Sequence, residues 1–569
     1  MTQDTPELPQ TVDDGRARAV ALNGHAGLES QPTSIVTYLS QGRLLIVGDR
    51  DAALAAASRL GDSLQTTIFC PADGAASRDV AGGISIIRGG RAKLEGRLGA
   101  FTLNIELGEQ GDETGQEQAA EAAGPTGTVE QFDKAFDLVL DLTEPRLIDY
   151  DIPPPGYYAP EGDAQALDKA LAELPDMTGE FEKPKYFNYD PNICAHGNSG
   201  LRGCTRCIDA CPTTAIVTIG DKVQVNPYLC QGAGSCVAAC PSGAMTYAFP
   251  TVSDLLRHVQ ALLGAYREAG GARPYLLFHD GYSRSKIYGK LAELMPESVL
   301  PVGVEEIGSV GMDAWLACLA YGAEAVMLAV TGGTPVKVVT EIDSQIGFAT
   351  AILAGMGFEG GHIRKLDVSS DLTAGDFADL PAAVVKRAAR FEAPNEKRMI
   401  LRLAIDHIHQ QAPSSRRTAD LPVGAPFGEV QVDSKACTLC MGCVSVCPTA
   451  ALSAGGDLPQ LKFVEWNCVQ CGLCEKACPE DAIKPHARFL YDTEARQRNR
   501  ILHEEQPFCC ISCGKPFATQ SMLDVMMKKL EGHWMFQSEE AIRRMQMCEH
   551  CRVKDMFRAE RDGGAGPSH

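Results

Sequence analysis

Cys437-Thr-Leu-Cys440-Met-Gly-Cys443-Val-Ser-Val-Cys447-Pro448 and Cys468-Val-Gln-Cys471-Gly-Leu-Cys474-Glu-Lys-Ala-Cys478-Pro479 repeat one spacing, C-x2-C-x2-C-x3-C-P. Soft thiolates bind iron, and three of them two residues apart let one tight loop wrap three corners of a cubane. The fourth cysteine of such a run serves the neighbouring cluster. Proline after it ends the loop, because its ring fixes φ and removes a donor. The spacing therefore predicts a 4Fe-4S cluster on Cys437, Cys440, Cys443 and Cys478. It predicts a second on Cys468, Cys471, Cys474 and Cys447. Disulfides and zinc are the competing uses of eight thiols, and the tandem spacing argues against both.

This run is that of bacterial ferredoxins, and an earlier pair of runs resembles it with two changes. Cys204-Thr-Arg-Cys207-Ile-Asp-Ala-Cys211-Pro212 has Leu201 where the first cysteine belongs. Cys194 is the candidate replacement, reached across the loop Ala195-His196-Gly197-Asn198-Ser199-Gly200, whose glycines let the chain fold back. Cys230-Gln-Gly-Ala233-Gly-Ser-Cys236-Val-Ala-Ala-Cys240-Pro241 has alanine at its second position. By the crossover rule, Cys194, Cys204, Cys207 and Cys240 complete a third 4Fe-4S site, while Cys230, Cys236 and Cys211 supply three corners. That set resembles the three-iron site of seven-iron ferredoxins, which lacks a cysteine at the same position. The resemblance implies a 3Fe-4S cluster; a 4Fe-4S cluster with an outside ligand, or no cluster, are the alternatives. All four units close alike, in Cys-Pro-x-x-Ala followed by a large apolar residue, so two dicluster modules with internal pseudo-twofold symmetry are expected.

Composition sets the outer bounds. The 569 residues allow several domains, and 45% hydrophobic with 22% charged content is that of a globular chain. A formal charge of −21 argues against nucleic acid and anionic membrane as partners and suits a basic patch on a redox protein. The apolar stretch from Trp315 to Val330 contains Glu324, so no membrane span is expected. The N-terminus lacks a basic start, an apolar run and twin arginines, and 22 cysteines then read as metal ligands in a bacterial cytoplasm.

The expected fold class is α/β plus α+β in several domains. Residues 1–35 read as disordered and 36–150 as a Rossmann-like, doubly wound α/β domain opening on Arg43-Leu-Leu-Ile-Val-Gly48. The following loop, Gly48-Asp-Arg-Asp51, is not G-x-G-x-x-G, and its carboxylates would repel a pyrophosphate. Residues 107–131 read as an acidic surface excursion. A linker at 151–185 leads to the first ferredoxin-like module at 186–250. A second doubly wound α/β domain is expected at 251–395, including a helix over 286–295. A helical linker at 396–428 precedes the intact module at 429–490, and residues 561–569 form a tail. Between them, 491–560 carries Cys510-Ile-Ser-Cys513-Gly514 and Cys548-Glu-His-Cys551, two C-x2-C knuckles. Four thiolates from two knuckles suit a closed zinc site in a zinc-ribbon-like module, with iron as the rival ion. Cys509 and His550 are spare there; Cys70 and Cys318 read as buried thiols.

The stretch Gly303-Val-Glu-Glu-Ile-Gly308 with Ala314-Trp-Leu-Ala-Cys-Leu-Ala-Tyr-Gly-Ala-Glu-Ala-Val-Met-Leu328 resembles the small delta subunit of methyl-viologen-reducing hydrogenase, whose own cysteines are reduced here to Cys318. The order of modules and the Cys194-Ala-His-Gly197 loop resemble the large ferredoxin-type proteins associated with bacterial formate dehydrogenases. The resemblance implies electron transfer, with formate dehydrogenase subunits as partners and no acid–base catalytic residue. Two rivals remain: a flavin-linked oxidoreductase subunit holding FAD in an α/β domain, and an assembly or maturation factor for a molybdoenzyme.

Overall fold

The computed structural model describes residues 13–24, 34–106, 129–131, 135–197, 200–289, 291–414, 416–456 and 458–562. The N-terminal sheet is built on Arg43–Val47, whose Leu44, Leu45, Ile46 and Val47 are completely buried because both faces of the strand are covered. Gln65–Cys70 and Leu138–Asp141 flank it in parallel. Helix Arg50–Leu60 lays Ala53, Ala56, Ala57 and Leu60 on one face. Its N-terminus is closed by Asp49, whose carboxylate accepts from the backbone N–H of Asp51 and Ala52.

This sheet is mixed, not doubly wound. Ala72–Ala81, Ile84–Arg97 and Ala100–Glu106 form successive antiparallel hairpins where a crossover helix was expected. The Gly82-Gly83 turn, with both φ positive, explains the first hairpin. Of the acidic excursion, 107–128 lies outside the described residues, and Val129–Gln131 pairs with Ala100–Glu106. Residues 151–185 are not a free linker either. Tyr157–Tyr158 joins the sheet edge, helix Ala164–Glu173 packs Ala170 and Leu171 on the core, and Gly179–Pro184 pairs with Ile35–Ser40. The buried hydroxyl of Tyr157 donates to Asp141 at 2.5 Å, fixing the chain where its prolines had suggested a spacer.

The middle unit is a four-stranded parallel sheet in the order Val299–Gly303, Tyr275–His279, Ala325–Val330, Ile363–Asp367. Helix Met312–Ala320 is buried along its whole length, since it touches strand Ala325–Val330 and the helices Val252–Glu268, Val336–Gly355 and Lys397–His409. The helix expected at 286–295 instead spans Gly281–Tyr288, started by the Asp280/Ser283 capping box. Two other expectations are corrected here. Residues 14–24, within the stretch read as disordered, form a helix whose Ala17 and Ala21 pack on Val252–Glu268, with Asp14 accepting from Tyr266 Oη at 2.5 Å. In the stretch read as a helical linker, a helix does form, Lys397–His409, but it is no free connector: Ile400, Leu401, Ala404, Ile405 and Ile408 lie in the same core. That core continues through Ala419, Leu421, Phe427, Phe489 and Tyr491, so the second ferredoxin-type module is seated on the middle unit.

The two modules share one plan. Phe187–Tyr189 pairs with Met245–Tyr247 in the first, as Gly428–Val432 pairs with Ile483–Leu490 in the second. The inner hairpins are Ile216–Ile219 with Lys222–Val225, and Leu452–Gly455 with Leu458–Phe463. After each Cys-Pro the same turn recurs, with Thr214, Gly243, Ala450 and Asp481 all at φ between 48° and 79°. Three of these four carry a side chain in the left-handed region, at a cost of roughly 1–2 kcal/mol each. Ala450→Gly should therefore be neutral or stabilise the module by up to about 1 kcal/mol, whereas Gly243→Val should destabilise it. Denaturant unfolding of the two variants checks this, and equal effects of both would count against strain at the turn.

Candidate metal centres

In the second module the loops bring eight thiols around two small cavities. One is lined by Cys468, Cys471, Cys474 and Cys447 with Val430, Leu452 and Phe463. The other is lined by Cys437, Cys440, Cys443 and Cys478 with Val432, Leu461 and Ile483. Leu439, Met441, Gln470 and Gly472 hold φ between 54° and 77°, which turns each loop tightly enough to aim successive thiols inward. Backbone and side-chain N–H groups point at the sulfurs: Ala482 N donates to Cys478 Sγ at 3.3 Å and Gln470 Nε2 to Cys468 Sγ at 3.2 Å. Such donors stabilise thiolate and bound cluster alike. Apolar walls, converging thiols and N–H donors fit an iron-sulfur cluster in each cavity.

The first module gathers its thiols in two groups. Burial pushes the Cys207 thiol well up, helped by the neighbouring thiols of Cys240, Cys204 and Cys194. The Cys236 thiol is likewise raised by burial first and then by Cys230 and Cys211. Met245 N donates to Cys240 Sγ at 3.4 Å. The loop carrying Ala233 keeps left-handed backbone at Gly232 and Gly234, matching the intact loops although its cysteine is missing. The middle unit closes over it: a Cβ on Gly308 would lie 2.4 Å from the Ala233 carbonyl oxygen, and one on Gly234 2.4 Å from Ser309 Cα. The other altered loop departs from the pattern. His196 is buried there, and its Nδ1 lies 2.7 Å from the Cys204 carbonyl oxygen, so that nitrogen carries the proton.

Lysines surround the first module in a way the cysteine spacing does not announce. Lys183 Nζ donates to the carbonyl oxygens of Cys230 and Tyr228, and Lys337 Nζ to that of Cys211 at 3.1 Å. Lys397 Nζ donates to Val237 O at 2.9 Å and Ala238 O at 2.6 Å. The neighbouring Arg398 donates to the carbonyls of Trp466, Cys468 and Pro426 in the second module. Burial brings its guanidinium down to about 10, and the rings of Phe427 and Trp466 lie 4.6 and 4.9 Å from it. One sequence signal pointed to this pair: two cations opening a helix oppose the macrodipole and need tertiary partners.

The C-terminal cysteines form a smaller site. The sulfurs of Cys510, Cys513, Cys548 and Cys551 all lie within 4.8 Å of one another, and Cys513 and Cys548 are 3.7 Å apart. A Zn–S bond of about 2.3 Å gives tetrahedral S···S edges of about 3.8 Å, so one ion fits and a cubane does not. Cys510 and Cys513 sit at the turn between Pro507–Cys509 and Pro516–Thr519, while Cys548 and Cys551 open helix Glu549–Asp562. The second pair thus stands on a helix, not on a ribbon hairpin. Burial opposes ionisation of Cys510, yet N–H groups of Cys548, Ser512 and Cys513 bring its thiol down to about 6. Cys509 and His550 are exposed beside the site. Cys318 is buried in the middle-unit helix and Cys70 in the N-terminal strand, both thiols raised by burial.

Residues 187–241 and 436–482 each match the model of a family described as the 4Fe-4S dicluster domain. Over 52 residues, 9% of this chain, it is 44% identical to Ferredoxin-1 of Caulobacter vibrioides, covering 44% of that protein. Over 61 residues it is 38% identical to NADH-quinone oxidoreductase subunit I 2 of Geobacter metallireducens, covering 47% of it. The chain thus spans less than half the length of these curated relatives. It is a multi-cluster iron-sulfur protein of the ferredoxin type, with two dicluster domains.

Two outcomes follow from the thiol environments. Gln470→Leu, which installs the residue of the sister loop at Leu439, removes an N–H···S bond. The potential of that cluster should fall by about 20–60 mV, the one-electron equivalent of ~0.5–1.5 kcal/mol, read by EPR redox titration. An unchanged potential would show that Gln470 does not act on the sulfur. Burial also pushes Cys204 up to about 11 and Cys443 up to about 12, from an ordinary value of 9.0. A raised thiol pKa favours the folded state while the thiol is neutral, so this stability is complete below pH 9 and fades as pH rises through 11 to 12. Iron-free protein should accordingly melt at progressively lower temperature above pH 9, while loaded protein, its thiols already ionised, should not follow.

Proposed function

We propose that this chain is an electron conduit that carries electrons between redox partners on three 4Fe-4S clusters and one 3Fe-4S cluster. The observation that carries the reading is the convergence of the module thiols in apolar settings with N–H donors. The ligand sets are Cys437, Cys440, Cys443 and Cys478; Cys468, Cys471, Cys474 and Cys447; Cys194, Cys204, Cys207 and Cys240; and Cys230, Cys236 and Cys211. The clusters supply one-electron chemistry, and the chain's residues hold them, exclude water and set their potentials. The Lys183, Lys337 and Lys397 ammonium groups favour the more negative, reduced state of the three-thiolate site.

We further propose zinc at Cys510, Cys513, Cys548 and Cys551, where a redox-silent ion in a closed four-thiolate site would hold the C-terminal segment together. The partner reading is a formate dehydrogenase, supported by the resemblance of module order and of the Cys194-Ala-His-Gly197 loop, in a cytoplasmic setting. No described helix is long and apolar enough to cross a membrane. The middle unit, resembling the hydrogenase delta subunit, retains Cys318 alone and serves as a scaffold. The flavin rival finds no support at the end of Arg43–Val47, where Asp49 already caps the following helix.

Affinity capture from anaerobic cells should recover formate dehydrogenase subunits; recovery of a different oxidoreductase alone would overturn the partner. Oxidised protein should show an EPR signal near g = 2, at about one spin per chain. Ala233→Cys should abolish it by completing a fourth corner, and persistence of the signal would reject the three-thiolate assignment. Cys551→Ser should release about one zinc per chain and expose the segment after residue 505 to protease, with the visible spectrum retained. Loss of iron and visible absorbance instead would make this a further redox centre.

A further inference from the structure

The two dicluster modules, separated by nearly two hundred residues of chain, touch each other at their ligand loops. Lys476 Nζ donates to the Arg202 carbonyl at 2.9 Å. Gly203 lies against Leu473 of the other loop, where an added Cβ would come within 3.0 Å of Leu473 Cγ as well as 2.3 Å from the Ala195 carbonyl oxygen of its own module. Leu473 is completely buried, shielded between Cys471 and Cys474 of its own loop and the Gly203 backbone of the other.

The contact is braced from behind by consecutive residues of one helix. Lys397 reaches into the first module at Val237 and Ala238, between Cys236 and Cys240. Arg398 reaches into the second at Trp466 and Cys468. Lys397 is buried and Arg398 half-buried, and both spend their donors on backbone carbonyls, so rotating either module would strand a cation.

We propose that the Arg202–Cys204 and Cys471–Lys476 loops form the electron-transfer junction between the modules. The chain then orders its sites in one line: the Cys230/Cys236/Cys211 site, the Cys204 site, the Cys471 site, and the Cys437/Cys478 site with exposed Cys440 at its outer end. At the junction one electron leaves the reduced side and reduces the oxidised side; no bond forms or breaks and no proton moves. The proposal rests on the conduit reading, since it needs clusters on both sides.

The test is magnetic coupling in the full-length, anaerobically reduced protein. In wild type, the EPR signal of the Cys204 site should be broadened and fast-relaxing, because a reduced paramagnet stands across the junction. Cys474→Ala, which removes the Cys471-site cluster but keeps Arg202, Gly203, Leu473 and Lys476, should sharpen that first-module signal and make it saturate at lower microwave power. Lys397→Met with Arg398→Met retains all ligands and should weaken the coupling without loss of iron. A first-module signal identical in wild type and in Cys474→Ala, with iron content confirming the loss of that one cluster, would overturn the junction while leaving the conduit intact. Protein that binds no iron at all would instead overturn the conduit reading itself. If Cys474→Ala fails to fold, the wild-type spectrum decides: an uncoupled first-module signal at full reduction overturns the proposal.

Discussion

Adjacent cations at the start of one helix hold this molecule together. Lys397 and Arg398 occupy the first helical positions after Glu396, whose carboxylate accepts from the backbone N–H of Arg398 and Met399. The helix dipole disfavours positive charge there by a few tenths to about 1 kcal/mol. Five carbonyl hydrogen bonds, at Val237, Ala238, Trp466, Cys468 and Pro426, outweigh that cost, each charge-assisted bond contributing about 1.5–3 kcal/mol. The rest of the same helix presents Ile400, Leu401, Ala404, Ile405 and Ile408 to the middle unit. One element therefore fixes three bodies, and its apolar stripe supplies the rigidity that lets the two cations hold the cysteine loops in register.

How much of this was legible in the sequence depended on the range of the interaction. The cysteine runs are local: spacing and Cys-Pro boundaries dictate loops whose thiols converge, and the loops do converge. The buried strand Arg43–Val47 was legible for the same reason, as a short apolar run ending in glycine. The mixed character of its sheet was less so, although Gly82-Gly83 is a local hairpin signal. Helix Asp14–Gly24 carries almost no amphipathic pattern, and its burial rests on Ala17 and Ala21 meeting a helix more than two hundred residues away. A pattern that weak acquires meaning only in the folded chain. Residues 151–185 misled for a different reason: prolines marked a spacer, while Tyr157 and its bond to Asp141 made the segment part of the sheet.

The altered loops of the first module are informative because they differ in kind. Where Leu201 replaces a cysteine, Gly203 N and Cys204 N donate to the carbonyls of His196 and Ala195, and the His196 ring bonds to the Cys204 carbonyl. Where Ala233 replaces one, nothing moves. Gly232 and Gly234 hold the left-handed turn, the hydroxyl of Tyr247 donates to the Gly232 carbonyl at 2.7 Å, and Ser235 Oγ donates to the Ala210 carbonyl at 2.6 Å. A loop freed of its cluster would have no reason to retain this geometry, since every intact copy adopts it to aim thiols. The middle unit also packs on it so closely that Gly308 has no room for a side chain. In the conduit proposed above, a three-thiolate site that is lysine-flanked and keeps the backbone of the intact loops would be a distinct type of centre and not an eroded copy. Three lysines donating to the carbonyls around it would favour its reduced state, because nearby positive charge stabilises the added electron.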